Sequence, residues 1–486
     1  MRLLDFGVIL LYLVGITWFG TRFRRSQKGL KDYFLGGRSA PWWAIGLSIV
    51  SAETSTLTII GTPTMAFGGN FCFLQVVFGY LLGRIVISYL LLPHYFRGEL
   101  YTAYELMQIR FGGRIRKLTA GTFLVIRALA EGVRVFAISI VISIVLGTGE
   151  IVSIFLIVGL TLLYTFEGGM TAVIWTDVVQ MFLYVCGAVV SLWVILHQVP
   201  GGWAHVSAVA EAAGKFQVFD THFNLTREFF SQPYNIWAGL IGGCFAATAS
   251  HGTEQLMVQR LLAARSEKES RRALLGSWLV ILTLFTLFLV IGAILYVHYQ
   301  DLGLPAPQPA DRLYPEFVWN SLPPIVSGLV IAAILAAAMS NLSAALNSLA
   351  STTVMDFYRP LRGETGRSTD GSHLKLARWI TIVWGVVLLA IGTVARHWGP
   401  VLEAGLTIAS IAYGGLLGVF LLGIGTRRVK EGAATAGMIA GLGIMIFVKF
   451  GTHVAWTWYV PIGTITTFCV GLLASWIPAR RPQTER

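Results

Sequence analysis

Runs of about 20 apolar residues follow one another along nearly the whole chain, and no other feature limits its fold so tightly. A helix rises ~1.5 Å per residue, so such a run covers the ~30 Å hydrocarbon layer of a bilayer. Lipid offers the backbone no hydrogen bonds, so each run must pair its own polar groups as a helix. Of the 486 residues, 55% are hydrophobic and only 12% charged, more apolar surface than a water-facing exterior can hide. The expected fold is all-α and integral to the membrane. Thirteen spans are predicted, at 3–22, 42–67, 71–93, 118–146, 150–166, 171–197, 235–252, 273–299, 323–357, 374–395, 399–425, 432–450 and 456–477. The first run is too long for a signal peptide and lacks an A-x-A-like cleavage site, so it reads as a retained span.

Most of the 36 lysines and arginines lie in loops that follow odd-numbered spans, such as Arg22 to Arg38, Arg110 to Lys117, Arg260 to Arg272 and Arg359 to Arg378. The positive-inside rule puts these loops in the cytoplasm, with the N-terminus outside and the C-terminus inside, in a plasma membrane or bacterial inner membrane. The net charge of +12 is thus a flank beside anionic lipid headgroups and not a nucleic-acid footprint. Cys72, Cys186, Cys244 and Cys469 all fall within spans, with no CxxC pair to suggest a metal site or disulfide framework. No GxxxxGK[ST] loop and no region large enough for a nucleotide-binding domain is present, which excludes a self-contained ATP-driven pump. Neither an enzyme motif nor an organic-cofactor motif appears, and no obligatory protein partner is indicated.

A few spans are not plain lipid-facing helices. Residues 48–58 read Ser-Ile-Val-Ser-Ala-Glu-Thr-Ser-Thr-Leu-Thr in mid-span, followed by Gly61-Thr62-Pro63. Such polarity is tolerated at that depth where the backbone breaks around a wet cavity; the plainer alternative is a kink for packing, which Glu53 does not suit. The span 235–252 is short and Gly-rich, and runs into Ser250, His251, Gly252, Thr253 and Glu254. These two spans each open a group of five helices, from opposite sides of the membrane. That is the sequence pointer to an inverted-repeat carrier. The expected division is 1–40 (an extra helix and basic loop), 41–198 (first repeat), 199–234 (outer loop), 235–425 (second repeat) and 426–486 (two further helices and tail).

Ala337, Ser340 and Asn341 share one face of the span 323–357, where a carbonyl, a hydroxyl and an amide oxygen can converge on a hard cation, or simply pack as helix glue. Asp177 reads as an unpaired intramembrane acid, either a cation or proton ligand or an interfacial side chain. Arg127, Glu131 and Arg134 lie on one helix face. Pairing among them explains their burial, and one arginine is left over for a carboxylate. Arg84, His251 and Glu254 read as structural or interfacial.

At this point the chain resembles the sodium:solute symporter family of bacterial proline, sialic-acid and galactose symporters and mammalian glucose and iodide carriers. The residues that carry the likeness are Asp32-Tyr-Phe-Leu-Gly-Gly-Arg38, Ala103-Tyr-Glu-Leu with Arg110-Phe-Gly, Tyr164-Thr-Phe-Glu-Gly-Gly, Val173-Ile-Trp-Thr-Asp177, Gln255 through Arg260, and Ala336-Ala-Ala-Met-Ser340 to Asn347-Ser348. The resemblance implies thirteen helices with a LeuT-type 5+5 inverted-repeat core, and sodium-coupled symport of a small organic solute by alternating access. It places the co-transported Na+ on the carbonyls of Ser51 and Thr54 and on Ala337, Ser340 and Asn341; the family usually has Ser or Thr at the last position. A second sodium would use Asp177, Ser340 and Ser343, but a further hydroxyl position is Ala344 here. For substrate it points to Glu53, Ser55, Thr58, Phe73, Gln75 and Arg134, and to an anionic or zwitterionic solute such as a carboxylate, an amino acid or a sialic-acid-like sugar acid. The spans 273–299 and 399–425 lack the Lys, Asn and Gln that a galactose-like mode uses. A neutral-sugar symporter and a proton-coupled carrier using Glu53 or Asp177 are the alternatives.

Overall fold

The structure is a computed structural model, and residues 3–21, 38–97, 103–164, 170–358, 361 and 371–476 are described. Among these residues every element is a helix, and the sole β feature is an isolated bridge between Ala40 and Ala264. Eight helices are long and apolar enough to cross a membrane, and a bent pair makes a ninth candidate. Shorter apolar helices at Leu3–Ile16, Glu150–Leu162 and Trp379–Ala395 fall where the first, fifth and tenth spans are predicted.

In chain order the elements are α1 (Leu3–Thr21), α2 (Trp42–Glu53), α3 (Thr56–Gly68), α4 (Leu74–Phe96), α5 (Ala103–Arg110), α6 (Gly113–Leu146), α7 (Glu150–Tyr164) and α8 (Met170–Gln198). The outer loop carries α9 (Gly202–Ala212) and the short α10 (Arg227–Ser231). There follow α11 (Gly243–Gly252), α12 (Gln255–Leu262), α13 (Glu267–Asp301), α14 (Leu313–Ser321), α15 (Val326–Thr352), α16 (Gly371–Ala395), α17 (Val401–Gly425), α18 (Glu431–Gly451) and α19 (Tyr459–Ala474). Both polar mid-span stretches are interrupted. The first breaks between α2 and α3 with a bend of 62°. The second is a π turn at Ala238–Gly242 running into α11, with a break at Thr253–Glu254 before α12.

Close packing holds the broken helices in place. A Cβ on Gly79 of α4 would lie 2.4 Å from the Gly239 carbonyl oxygen, and one on Gly243 would lie 2.3 Å from the Val76 carbonyl oxygen. The backbones therefore cross in direct contact, which only small residues permit. The first helix docks through Asp5, whose Oδ1 accepts from Ile325 N (2.7 Å) and Gly328 N (3.0 Å) where α15 begins. Ile325 is a non-glycine at φ 75°, a left-handed conformation that costs energy and is held here by the carboxylate.

At the end of the bundle away from the basic loops, the 199–234 loop is stapled down. Lys215 Nζ donates to the Phe67 carbonyl (2.6 Å) and sits 4.0 Å over the Tyr296 ring. Thr64 Oγ1 bonds the Ala310 carbonyl (3.2 Å), and Asp311 Oδ2 accepts from Val401 N (3.0 Å) at the start of α17. Asp311 is buried and its Oδ1 has no partner, so burial pushes its carboxyl up to about 6 from the usual 3.8, with Glu403 nearby adding to the rise. A raised folded value makes the native state the better proton binder. Stability from this group is complete below about pH 4 and is lost as pH rises through about 6. Asp311→Asn keeps an acceptor for Val401 and never ionises. Its melting temperature is expected to gain on the parent's between pH 4 and 7, by a difference on the order of 3 kcal/mol. A constant gap across that range would contradict the assignment.

Candidate functional site: a cavity at the helix breaks

The chemistry of the site begins with two carbonyls. At the end of α2, Thr54 N still bonds the Val50 carbonyl (2.7 Å), but Ser55 N turns to Glu53 O (3.0 Å) and Thr58 N to Ser55 O (2.9 Å). Ser51 O and Thr54 O thus lose the i+4 N–H partners that a continuous helix would supply. An oxygen released in this way is a hard-cation ligand, and a buried carbonyl left without a partner is costly. Beside it, the Tyr184 hydroxyl of α8 faces Ser51 and Thr54. Tyr184 Oη and Thr54 Oγ1 are both buried without a hydrogen bond of normal geometry. On α15, Ala337 is buried while Asn341 and Ser343 are half-buried. The Ser340 side chain lies outside the described residues.

A cavity of about 140 Å³ opens next to the break. Glu53, Ser55, Thr58, Phe73 and Arg134, five of the six expected solute contacts, all line it. It reaches toward Phe123 and Met257, at the end of the bundle where α2 and α6 begin. On the other side Leu402 packs against Gly61, with 2.5 Å from its Cβ to where a Cβ on Gly61 would stand.

Gln75 is not on this wall. It is fully buried, donates from Nε2 to the carbonyls of Cys72 (3.1 Å) and Tyr234 (3.1 Å), and accepts from Asp220 N through Oε1 (3.2 Å). Its polar atoms are occupied in anchoring the outer loop to α4.

Buried charges on the wall come in balanced sets. Glu53 pairs through Oε2 with Arg84 Nη2, and His251 Nε2 lies 3.3 Å from the same oxygen. Behind it, Arg84 Nε reaches Ser277 Oγ at 3.3 Å. One turn further, Arg127 binds Glu254 Oε1 (3.0 Å) and Glu131 Oε2 (3.3 Å), and Arg134 Nη1 binds Glu131 Oε2 (2.9 Å). Tyr413 donates to Glu254 Oε2 (2.6 Å). Pairing of this kind keeps the charges tolerable at low dielectric. Arg84, His251 and Glu254, read from sequence as structural or interfacial, are therefore part of the site's electrostatics, and the last two line the cavity. A lone arginine in an otherwise apolar span is the signal for Arg84; that it pairs with Glu53, on another helix, leaves none.

Asp177, expected as an unpaired acid, is paired. Its Oδ2 accepts from Ser48 Oγ (2.6 Å) and from Arg260 Nη2 (3.0 Å), and Arg260 Nε also donates to Ser48 Oγ (3.0 Å). The reason is the fold of α12, which carries Arg260 back between α2 and α8. Sequence separation of 83 residues between the partners hides this contact.

A helical bundle broken in two spans, with released carbonyls and a cavity at the breaks, has the build of a secondary transporter, a multi-pass membrane carrier. Residues 33–441 match the sodium:solute symporter family, and the chain belongs to that family: it is a sodium-coupled symporter. It is 29% identical to the sodium/sialic acid symporter SiaT of Proteus mirabilis, over 98% of this chain and 96% of that protein. It is 28% identical to the sodium-coupled monocarboxylate transporter 2 of Bos taurus, over 94% of this chain and 75% of that protein. The solved structure of a Na+-coupled sialic acid symporter, substrate-bound and outward-open, matches with a TM-score of 0.85 at 28% identity, covering 98% of each chain. Mhp1, a nucleobase-cation-symport-1 family transporter in a closed conformation, matches with a TM-score of 0.58 at 13% identity, over 90% of this chain and 93% of that one, and shares the fold.

Proposed function

We propose that this chain carries an anionic organic solute on a sodium gradient, binding the solute carboxylate at Arg134 and sodium between Ser51 O, Thr54 O, Ala337 O, Ser340 and Asn341. The observation that carries the reading is the break at Thr54–Ser55, which releases two carbonyls beside a cavity that holds an arginine. Sodium bridging α2–α3 to α15 shapes the cavity, so sodium and solute tighten each other's binding by the same factor. Each sodium moved inward gains ~2.3 kcal/mol per 100 mV of potential. The thirteen spans, the division into two five-helix repeats and a cytoplasmic C-terminus belong to this proposal. In that orientation the cavity points to the cytoplasm, while Lys215, Thr64 and Asp311 close the outer end.

One sodium per cycle is the stoichiometry we favour. A second ion at Asp177, Ser340 and Ser343 would compete with Arg260 for the carboxylate, and Ala344 removes a hydroxyl there. Proton coupling through Glu53 or Asp177 is disfavoured because each already faces an arginine. The relatives named for sialic acid and for monocarboxylates both handle carboxylates, which fits Arg134.

The test is thermal stability of the detergent-purified protein in NaCl, KCl and choline chloride at matched ionic strength. Sodium is expected to raise the melting temperature saturably, and Ser340→Ala to abolish that rise. Uptake that follows pH in sodium-free buffer, with no sodium-specific shift in a folded protein, would sink the reading.

A further inference from the structure

The cavity wall is divided by chemistry. Its charged groups come from the α2–α3 break, α6 and the α11–α12 stretch, α17 adds the Ser410 and Tyr413 hydroxyls, and most of the charged groups are already committed. Arg127, Glu254 and Tyr413 hold one another, Ser250 bonds His251 Nδ1 (2.8 Å), and Glu53 Oε2 is shared by Arg84 and His251. Arg134 is the more open of the two arginines: each keeps a buried Nε without a partner, but Arg134 gives only Nη1 to Glu131 and leaves 23% of its side chain exposed, against 6% for Arg127.

The opposite wall is mostly apolar. Phe73 and Phe285 meet at 5.1 Å between ring centroids, and Leu57, Leu402, Leu406 and Trp456 extend it, with the Ser410 hydroxyl as a polar exception. From α13 and α17 the cavity receives no charged or amide side chain. Trp456 lies between the last two helices, beyond the family-matched segment, so this wall is partly built by residues outside the inverted-repeat core.

Size makes the same selection. An apolar protein cavity of about 150 Å³ takes one benzene ring. The cavity here is about 140 Å³, room for one carboxylate on one compact body, and it is open toward Phe123 and Met257. A nine-carbon sugar acid is several times larger than a benzene ring. It would bring a row of hydroxyls against aromatic and leucine side chains that cannot bond them, and each unpaired buried hydroxyl is penalised.

We propose that the transporter selects small carboxylates with a compact apolar or aromatic body, the carboxylate on Arg134 and the body against Phe73, Phe285 and Leu402, and that it rejects polyhydroxylated sugar acids. The inference rests on the cavity being the solute site. It departs from what identity to the sialic acid symporters alone would suggest.

The experiment is uptake into proteoliposomes under an inward sodium gradient, with radiolabelled benzoate, propionate and N-acetylneuraminate as probes. Benzoate and propionate are expected to enter in a sodium-dependent, saturable way and to compete with each other, while excess N-acetylneuraminate leaves both untouched. Phe285→Ala is expected to raise the KM for benzoate about tenfold, since the apolar contact it removes is a binding contact. The sodium-specific rise in melting temperature reports that this variant is still folded. Sodium-driven N-acetylneuraminate uptake that benzoate does not inhibit, and that Arg134→Ala abolishes, would overturn this inference and leave the solute site in place. Uptake of any probe that Arg134→Ala leaves unchanged would overturn the site itself. No sodium-driven uptake of any of the three would overturn both.

Discussion

Arg84→Met is expected to lower the stability of the folded protein by about 3–5 kcal/mol, the cost of leaving a buried charge without its partner. Arg84 is fully buried, and the Glu53 carboxylate that it faces keeps only 11% exposure, on the cavity side. Without the guanidinium, Glu53 is left with His251 Nε2 at 3.3 Å, and Ser277 loses a donor as well. The double variant Glu53→Gln/Arg84→Met removes both charges and is expected to recover most of the loss. Denaturation of the four proteins of this cycle in one detergent gives the coupling energy directly. If the single and double variants are equally destabilised, the pair is not what stabilises this region.

Asp177→Ala carries a comparable expected loss, about 3–5 kcal/mol, for the same reason with the sign of the stranded charge reversed. Arg260 is buried, and its only carboxylate contact among the described residues is Asp177. The contact joins α2 through Ser48, α8 through Asp177 and α12 through Arg260, so its loss loosens the end of the bundle where the cavity opens. Asp177→Leu/Arg260→Met is expected to restore stability and to leave the sodium-specific shift in melting temperature intact. A double variant that folds as well as the parent but has lost one of two sodium-binding steps would show Asp177 to be an ion ligand, and the proposed stoichiometry would fail.

Both pairs separate what a segment carries by itself from what its partners decide. Glu53 was visible because a carboxylate in the middle of an apolar span is expensive wherever it sits, and its cost is a property of its own segment. Arg84 was equally visible as a charge, but its role depends on a helix 31 residues away folding against the break. Asp177 reads as unpaired for the same reason: its partner Arg260 is 83 residues away. Gln75 enters the expected solute contacts through the family resemblance, alongside Phe73. On a helix, neighbours two residues apart point to different faces, so Phe73 meets the cavity while Gln75 meets the outer loop.

The all-helical membrane fold, the two interrupted spans and the family are legible along the chain. All three follow from local quantities: the length of an apolar run against the bilayer, the cost of polar backbone within it, and short motifs in order. Which buried charges are neutralised and by whom, and which side chains meet at one cavity, emerge only from the packed helices. Those outcomes depend on distances between helices remote in sequence. At low dielectric a few ångströms separate a satisfied ion pair from a binding site.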